Sequence, residues 1–236
     1  MESHFEYGLR SGIWRIFDAL DKYNIKATFS CCSLALEKSP WLIEEILNRK
    51  HEISAHGVKW ISHAYFSREE EKKIINDCYL SILKLSGRPP QGWHTKSSTS
   101  PFTRDLLIEH GGFMYDSNAY NDDIPYVIRQ NDRKFVIIPY SFDTNDMRFD
   151  GNNGFVQGDD FNTYCKESFN QLLSETDDGS LRMMSIGLHP RIIGRPGRIK
   201  GLEDFIKHIK TYQNVWIPTR IDIAKHCLEK DLFNFF

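Results

Sequence analysis

The sequence predicts an α/β protein whose strands, about seven and parallel, close into a barrel or partial barrel of the (β/α) kind. Three observations carry that expectation. Short runs rich in β-branched and aromatic residues alternate with amphipathic runs of helical period. Helical runs between successive strands call for parallel pairing through right-handed crossovers. Polar residues suited to chemistry gather just after the strands, on the side where parallel barrels place their sites.

Taken in order, residues 10–23 set Ile13, Ile16, Phe17 and Leu20 on one helical face, and Asn24 stops that helix. Residues 25–32 (IKATFSCC) read as a strand. A helix over 34–49 carries Trp41, Ile43, Ile46 and Leu47, with Ser39-Pro40 as an N-cap followed by proline at its first position. Residues 51–56 (HEISAH) are a second strand. The helix over 67–85 opens on a capping box, Ser67 with Glu70, and buries Ile74, Ile75, Cys78, Ile82 and Leu85. After the turn cluster 86–90 come a strand at 92–96, a helix from Ser100-Pro101 to about His110 that Gly111-Gly112 ends, and a strand at 113–116. Residues 120–126 read as a loop and 135–140 as a buried strand. A helix follows from Gly158 to about Leu173. The apolar run 183–188 reads as a buried strand that delivers His189-Pro190-Arg191 to a loop stiffened by Gly194, Pro196 and Gly197 and bearing Arg195 and Arg198. A helix near 199–212, a strand at 214–218 and a helix at 220–228 close the series.

The chain has 236 residues, 40% hydrophobic and 26% charged, an ordinary soluble composition. With no repeat, low-complexity segment or linker, residues 1–236 are expected to form one domain. A net charge of −2 provides no basic field for nucleic acid or an anionic membrane. No apolar run approaches the roughly 18 residues that span a bilayer. MESHFEYGLR lacks the regions of a signal peptide. The five cysteines include no CxxC pair, which points to reduced thiols and a cytoplasmic setting.

His56 follows the second strand, with Trp60 and His63 close behind; Trp93, His94 and Lys96 lie in or after the third. Asp116 and Asn118 follow the fourth, with Asn121, Asp122 and Asp123 in its loop. Asp143, Asn145 and Asp146 follow the fifth, and His189 and Arg191 the sixth. Histidines serve proton transfer near neutral pH. Arg191, Arg195 and Lys96 can hold an anion or polarise a carbonyl, and Asp143 or Asp146 can orient a histidine or bind an amide N–H. The asparagines and aspartates also suit turns and caps. A GxSxG elbow, the phosphate loops GxGxxG and GxxxxGK[ST], and a strong zinc signature are all absent from the sequence.

Five segments together resemble a known family: Glu6–Ile16, His51–Ile61 (HEISAHGVKWI), Tyr115–Tyr126 (YDSNAYNDDIPY), Ile138–Phe149 (IPYSFDTNDMRF) and Ser185–Arg198 (SIGLHPRIIGRPGR). They are similar to the metal-independent allantoinase branch of the polysaccharide deacetylase (NodB-homology) superfamily. The resemblance covers nearly the whole chain and implies a deformed (β/α) barrel. It also implies hydrolytic opening of the hydantoin ring of allantoin or a related ureide. Metal-dependent members use an Asp-Asp pair and an H-x-x-x-H motif; here that motif starts at His56 and position 60 is Trp, so no metal or other cofactor is expected.

On this resemblance His56, His189 and Asp143 are the expected catalytic residues. The expected substrate contacts are Trp60, Trp93, Lys96, Asp116, Asn121, Asp122, Asn145, Asp146, Arg191 and Arg195. Lys96 stands where the family usually has Arg, and His94 where it usually has Tyr. The family's first strand, ending in Glu-Glu-Gly, precedes the segment with which this chain starts, so an N-terminally truncated and incomplete barrel is expected. Carbohydrate N-deacetylation and a catalytically impaired paralogue are the rival readings. The expected partner is a small ureide, and the resemblance suggests a homo-oligomer. Leu232, Phe233, Phe235 and Phe236 suit either an interface or a frayed tail.

Overall fold

In the computed structural model, which describes residues 2–130, 132–151, 154–177 and 179–230, five of the expected strands lie side by side in one sheet. The chain begins with α1 (Glu2–Tyr7), a π-helical turn (Gly8–Gly12) and α2 (Ile13–Lys22). Next come β1 (Thr28–Cys31), α3 (Ser33–Lys38), α4 (Pro40–Asn48), β2 (Glu52–Ala55) and α5 (Arg68–Ser86). β3 (Gly92–Trp93), α6 (Thr103–His110), β4 (Tyr115–Asp116), β5 (Tyr126–Gln130) and β6 (Arg133–Ile137) follow. A 3-10 turn (Asp146–Phe149), α7 (Gly158–Ser174), α8 (Pro196–Ile209) and α9 (Arg220–Lys230) complete the described elements. They form two compact units, Lys26–Pro139 with Pro218–Phe236, and Met1–Ile25 with Tyr140–Ile217.

The first unit holds the sheet, in the order β1-β2-β3-β4-β6-β5. Every pairing up to β6 is parallel, in register Phe29↔Ile53, Ala55↔Trp93, Gly92↔Tyr115 and Tyr115↔Val136. The expected loop reached Tyr126 and residues 127–134 carried no expectation; β5 is an antiparallel edge strand paired with β6. Local signals behave as the sequence predicts. Ser67 and Glu70 form both bonds of the capping box on α5, Pro40 opens α4, and Gly111 ends α6 in the left-handed region at φ 74. Ser39 divides the expected 34–49 helix in two.

One sheet face is covered by apolar side chains: Ile46, Ile75, Cys78, Ile82 and Leu107 are fully buried with Trp93. A buried aliphatic side chain of this kind contributes roughly 1.5–3 kcal/mol. A second buried cluster is polar. Glu52 at the start of β2 accepts hydrogen bonds from Thr28 Oγ1 (2.6 Å), Tyr115 Oη (2.8 Å) and the Ile221 N–H (3.0 Å). Arg220 adds its N–H to Thr28 Oγ1 and its guanidinium to Ser117 Oγ, both at 2.8 Å, and so fastens α9 to the strands.

In the second unit α2, α7 and α8 bury Phe17, Leu20, Phe161, Leu202, Phe205 and Ile206. Here the sequence expectation needs two corrections. Residues 183–188 form no ladder strand: one parallel bridge joins Gly187 to Asn145, and the flanking side chains are half-exposed. The run is apolar but has no second strand beside it to bury its other edge. Residues 214–218 likewise form no strand. The expected tail residues Leu232, Phe233, Phe235 and Phe236 lie outside the described residues.

Candidate active site

In the Tyr140–Ile217 segment the chemistry centres on His189. Asp146, at the start of the 3-10 turn, is fully buried, and its carboxylate meets His189 Nδ1 at 2.6 Å. The same carboxylate accepts the backbone N–H groups of His189 (2.7 Å) and Ile193 (3.1 Å). Burial holds the Asp146 carboxyl above its ordinary value, and these donors offset that only in part. An aspartate on Nδ1 selects the tautomer that carries its proton there, which puts the ring's lone pair on Nε2. Of the two aspartates the sequence offers for orienting a histidine, Asp146 does so. Asp143 is exposed, and its backbone carbonyl accepts from Arg148 (3.0 Å).

The surrounding backbone is built to let this pair form. The bridge at Gly187 brings the 144–146 segment against 185–187, with Thr144 Oγ1 on the Ser185 carbonyl (2.5 Å). A side chain at Gly187 would strike Tyr140 Oη at 2.2 Å, which explains glycine there. Asn145 is buried; it accepts from the Met147 N–H (2.8 Å) and donates to Tyr140 Oη (2.9 Å). At Gly12 a Cβ would lie 1.9 Å from the Pro190 carbonyl, so the N-terminal turn can lie directly on the His189-Pro190-Arg191 loop. The arginines of that loop sit on aromatic rings. Arg191 lies 4.8 Å over Phe5 and Arg195 3.6 Å over Tyr7. Burial lowers the Arg191 guanidinium while Asp146 and Asp150 raise it.

The sheet unit holds a second group of expected residues. His56 directs Nδ1 at the His94 carbonyl, and the two rings lie 5.2 Å apart. Lys96 Nζ stands 4.9 Å over the Trp60 ring. The Thr95 N–H donates to Asn118 Oδ1 (2.8 Å), which ties the third strand end to the fourth. Two expected contacts are built into the protein interior instead. Trp93 has no exposure, and its indole N–H donates to Thr95 Oγ1 (2.8 Å). Asp116 has none either and pairs with Arg104 Nε (2.9 Å). Strand alternation explains the first, because Trp93 and His94 must point to opposite sides of the sheet. Asn121 and Asp122 are exposed in the loop before β5, with Asn121 Nδ2 3.2 Å from Tyr126 Oη. Tyr140 and Asn118 belong to these clusters; Tyr140 was missed, and Asn118 was noted after the fourth strand but not among the expected contacts. Tyr140 reads as the end of an apolar run, and Asn118 as a turn former.

The polysaccharide deacetylase family matches residues 2–104. A Schizosaccharomyces pombe protein assigned as a polysaccharide deacetylase is 34% identical over 241 residues, covering 95% of this chain and 75% of its own. The chain belongs to the polysaccharide deacetylase family. A crystal structure of a Pseudomonas aeruginosa protein assigned to the polysaccharide deacetylases superposes with a TM-score of 0.95 at 38% identity. It covers 99% of this chain and 78% of that one. The crystal structure of the Puue allantoinase gives 0.94 at the same identity and the same coverage. The fold is therefore that of this deacetylase and allantoinase family. No helix among the described residues is long and apolar enough to cross a membrane.

The H-x-x-x-H motif expected of metal-dependent superfamily members calls for a test of the donor set. Where they carry a second histidine of H-x-x-x-H, this family member has Trp60, set beneath Lys96. Among the described residues no group of three or more His, Cys, Asp or Glu is placed to hold a metal ion. The residues present do not fit one.

Proposed function

We propose that the protein is a hydrolase that opens the cyclic amide of allantoin or a related ureide. The observation that carries this reading is the His189–Asp146 pair, a histidine held by a buried carboxylate at 2.6 Å just after the Gly187 bridge. The likeness to the Puue allantoinase over 99% of the chain supports the substrate class. In the proposed reaction, water adds to a ring carbonyl and its proton passes to His189 Nε2. The same proton then goes to the departing ring nitrogen as the C–N bond breaks, leaving a carboxylate and an open ureide. Asp146 holds the ring and balances the imidazolium charge. Asn145 and Asp143 are candidates for the ureide N–H groups, and Arg191 with Arg195 for the new carboxylate. Within the sheet unit, His56, Trp60 and Lys96 are proposed as a separate candidate group for binding such a molecule.

The test is direct. Purified protein given racemic allantoin should release allantoate, and His189→Ala should lower the rate by about 10²–10⁴-fold. The family match also favours a second reading, removal of an N-acetyl group from an amino sugar polymer. Acetate release from N-acetylglucosamine oligomers, with and without added divalent metal, distinguishes the two. Failure to turn over either substrate sinks the hydrolase reading and leaves a non-catalytic paralogue.

A further inference from the structure

The sheet unit contains a buried, hydrogen-bonded His–Glu pair that the proposed reaction does not use. His63 is 1% exposed and Glu71 not at all, and His63 Nδ1 meets Glu71 Oε1 at 2.8 Å. Glu71 also accepts from Thr103 Oγ1 (2.6 Å) and from Ser100 Oγ. These partners come from three places: the 57–66 loop, the first turn of α5, and the 94–103 loop. The backbone continues the connection. The His63 N–H and Ser62 Oγ donate to the Ser98 carbonyl at 3.0 and 3.2 Å. Between Ser98 and Lys96 stands Ser97 at φ 60, a left-handed conformation that costs a non-glycine residue about 1 kcal/mol or more. Such a conformation persists only where its surroundings over-determine it. Here the bonds to Ser98 and Ser100 hold it. The outcome of that geometry is one specific contact, Lys96 Nζ over the Trp60 ring at 4.9 Å.

A buried polar pair of this kind is seldom the most stable filling for a core, because apolar residues of similar volume serve as well or better. Its advantage is directional: it fixes which loop atoms meet. We propose that His63 and Glu71 are positioning residues that lock the 94–103 loop to the 57–66 loop and so set Lys96 on Trp60 as a substrate-binding platform. The substrate part of this statement rests on the hydrolase reading above; the positioning part does not.

The deciding variant replaces both partners with apolar residues, His63→Phe with Glu71→Leu. A purely structural pair predicts a folded double variant that behaves as the wild type. A positioning pair predicts a folded double variant whose platform is loose. Two readouts separate these outcomes. Acylation of Lys96 by an amine-reactive ester, followed by mass spectrometry with exposed Lys207 as internal reference, should run roughly three- to tenfold faster once the cation–π contact is lost. With allantoin as substrate, KM should rise by a similar factor while kcat stays within about twofold, the sign of lost uniform binding. Lys96 labelling at the wild-type rate in the folded double variant overturns the proposal. Should the double variant fail to fold, Glu71→Gln carries the same labelling test with the same two outcomes. If the hydrolase reading itself is wrong, no protein turns over allantoin, yet the labelling rates still decide the positioning role.

Discussion

The smallest unit with consequences is a single carboxylate. Asp146 takes three N–H donors, two from the backbone of the loop it serves and one from the ring it orients. Asp146→Asn keeps the volume but offers His189 Nδ1 an amide in place of an anion, and the imidazolium loses its counter-charge. On the hydrolase reading kcat should fall by about 10²–10⁴-fold with unchanged far-UV dichroism; a smaller loss would demote Asp146 to a structural anchor. Glu71 makes a different prediction, about pH. Burial alone would raise its carboxyl, but the bonds from His63, Ser100 and Thr103 outweigh burial and hold it below its ordinary value of 4.5. A carboxyl depressed on folding contributes stability that is present above its unfolded value and is lost as pH falls through its folded value. The thermal stability of the wild type should therefore fall as pH drops below about 4.5. Glu71→Gln should flatten that part of the profile, and a parallel curve would contradict this account.

At the scale of elements, short-range signals were readable and long-range ones were not. Ser67 and Glu70 announce the start of α5, and the structure shows both bonds of the box. Ser67→Ala should cost about 1 kcal/mol, measurable as a lower denaturation midpoint in urea at constant slope. The first five strands were legible because each is a compact β-rich run bounded by turns. The β5–β6 hairpin was not seen, although its signal exists: two residues, Asn131-Asp132, separate two runs, and Asp132 adopts φ 59. Charged residues on β6 (Arg133, Lys134) and on β5 (Arg129) masked the alternation, as exposed edge strands often do. The sixth run failed for the opposite reason. Composition marks Met183–Leu188 as apolar, but burial depends on neighbours that composition does not record. In the site, His56 could be picked from its place after a strand and His189 from its place after an apolar run. The choice of Asp146 over Asp143 could not, because it depends on the 3-10 turn that swings one inward and leaves the other in solvent. Nor could the pairing of His63 with Glu71, since an acidic residue in a helix's first turn already has a reason to be there.

For the molecule as a whole, the organisation by units was the least legible feature. Neither unit is a continuous stretch: one takes Lys26–Pro139 and Pro218–Phe236, the other Met1–Ile25 and Tyr140–Ile217. No single cut can therefore divide the chain into two self-sufficient pieces. Residues 26–139 made alone lack the α9 bonds to Thr28, Glu52 and Ser117, and should be less soluble and less cooperative on heating than the same segment joined to 218–230 by a flexible linker. Equal thermal profiles for the two would show that α9 is dispensable.

That dependence on α9 has a further consequence, in time. The contacts of Arg220 with Thr28 and of Ile221 with Glu52 span 192 and 169 residues of sequence. Synthesis runs from the N-terminus at roughly 5–20 residues per second, so these contacts cannot form until at least ten seconds or so after β1 leaves the ribosome. Through that interval the half-buried carboxylate of Glu52 lacks the Ile221 donor, and the strand starts are without the helix that fastens to them. The sheet is laid down early and sealed late, and an unsealed parallel sheet is the form in which this chain is most exposed to aggregation.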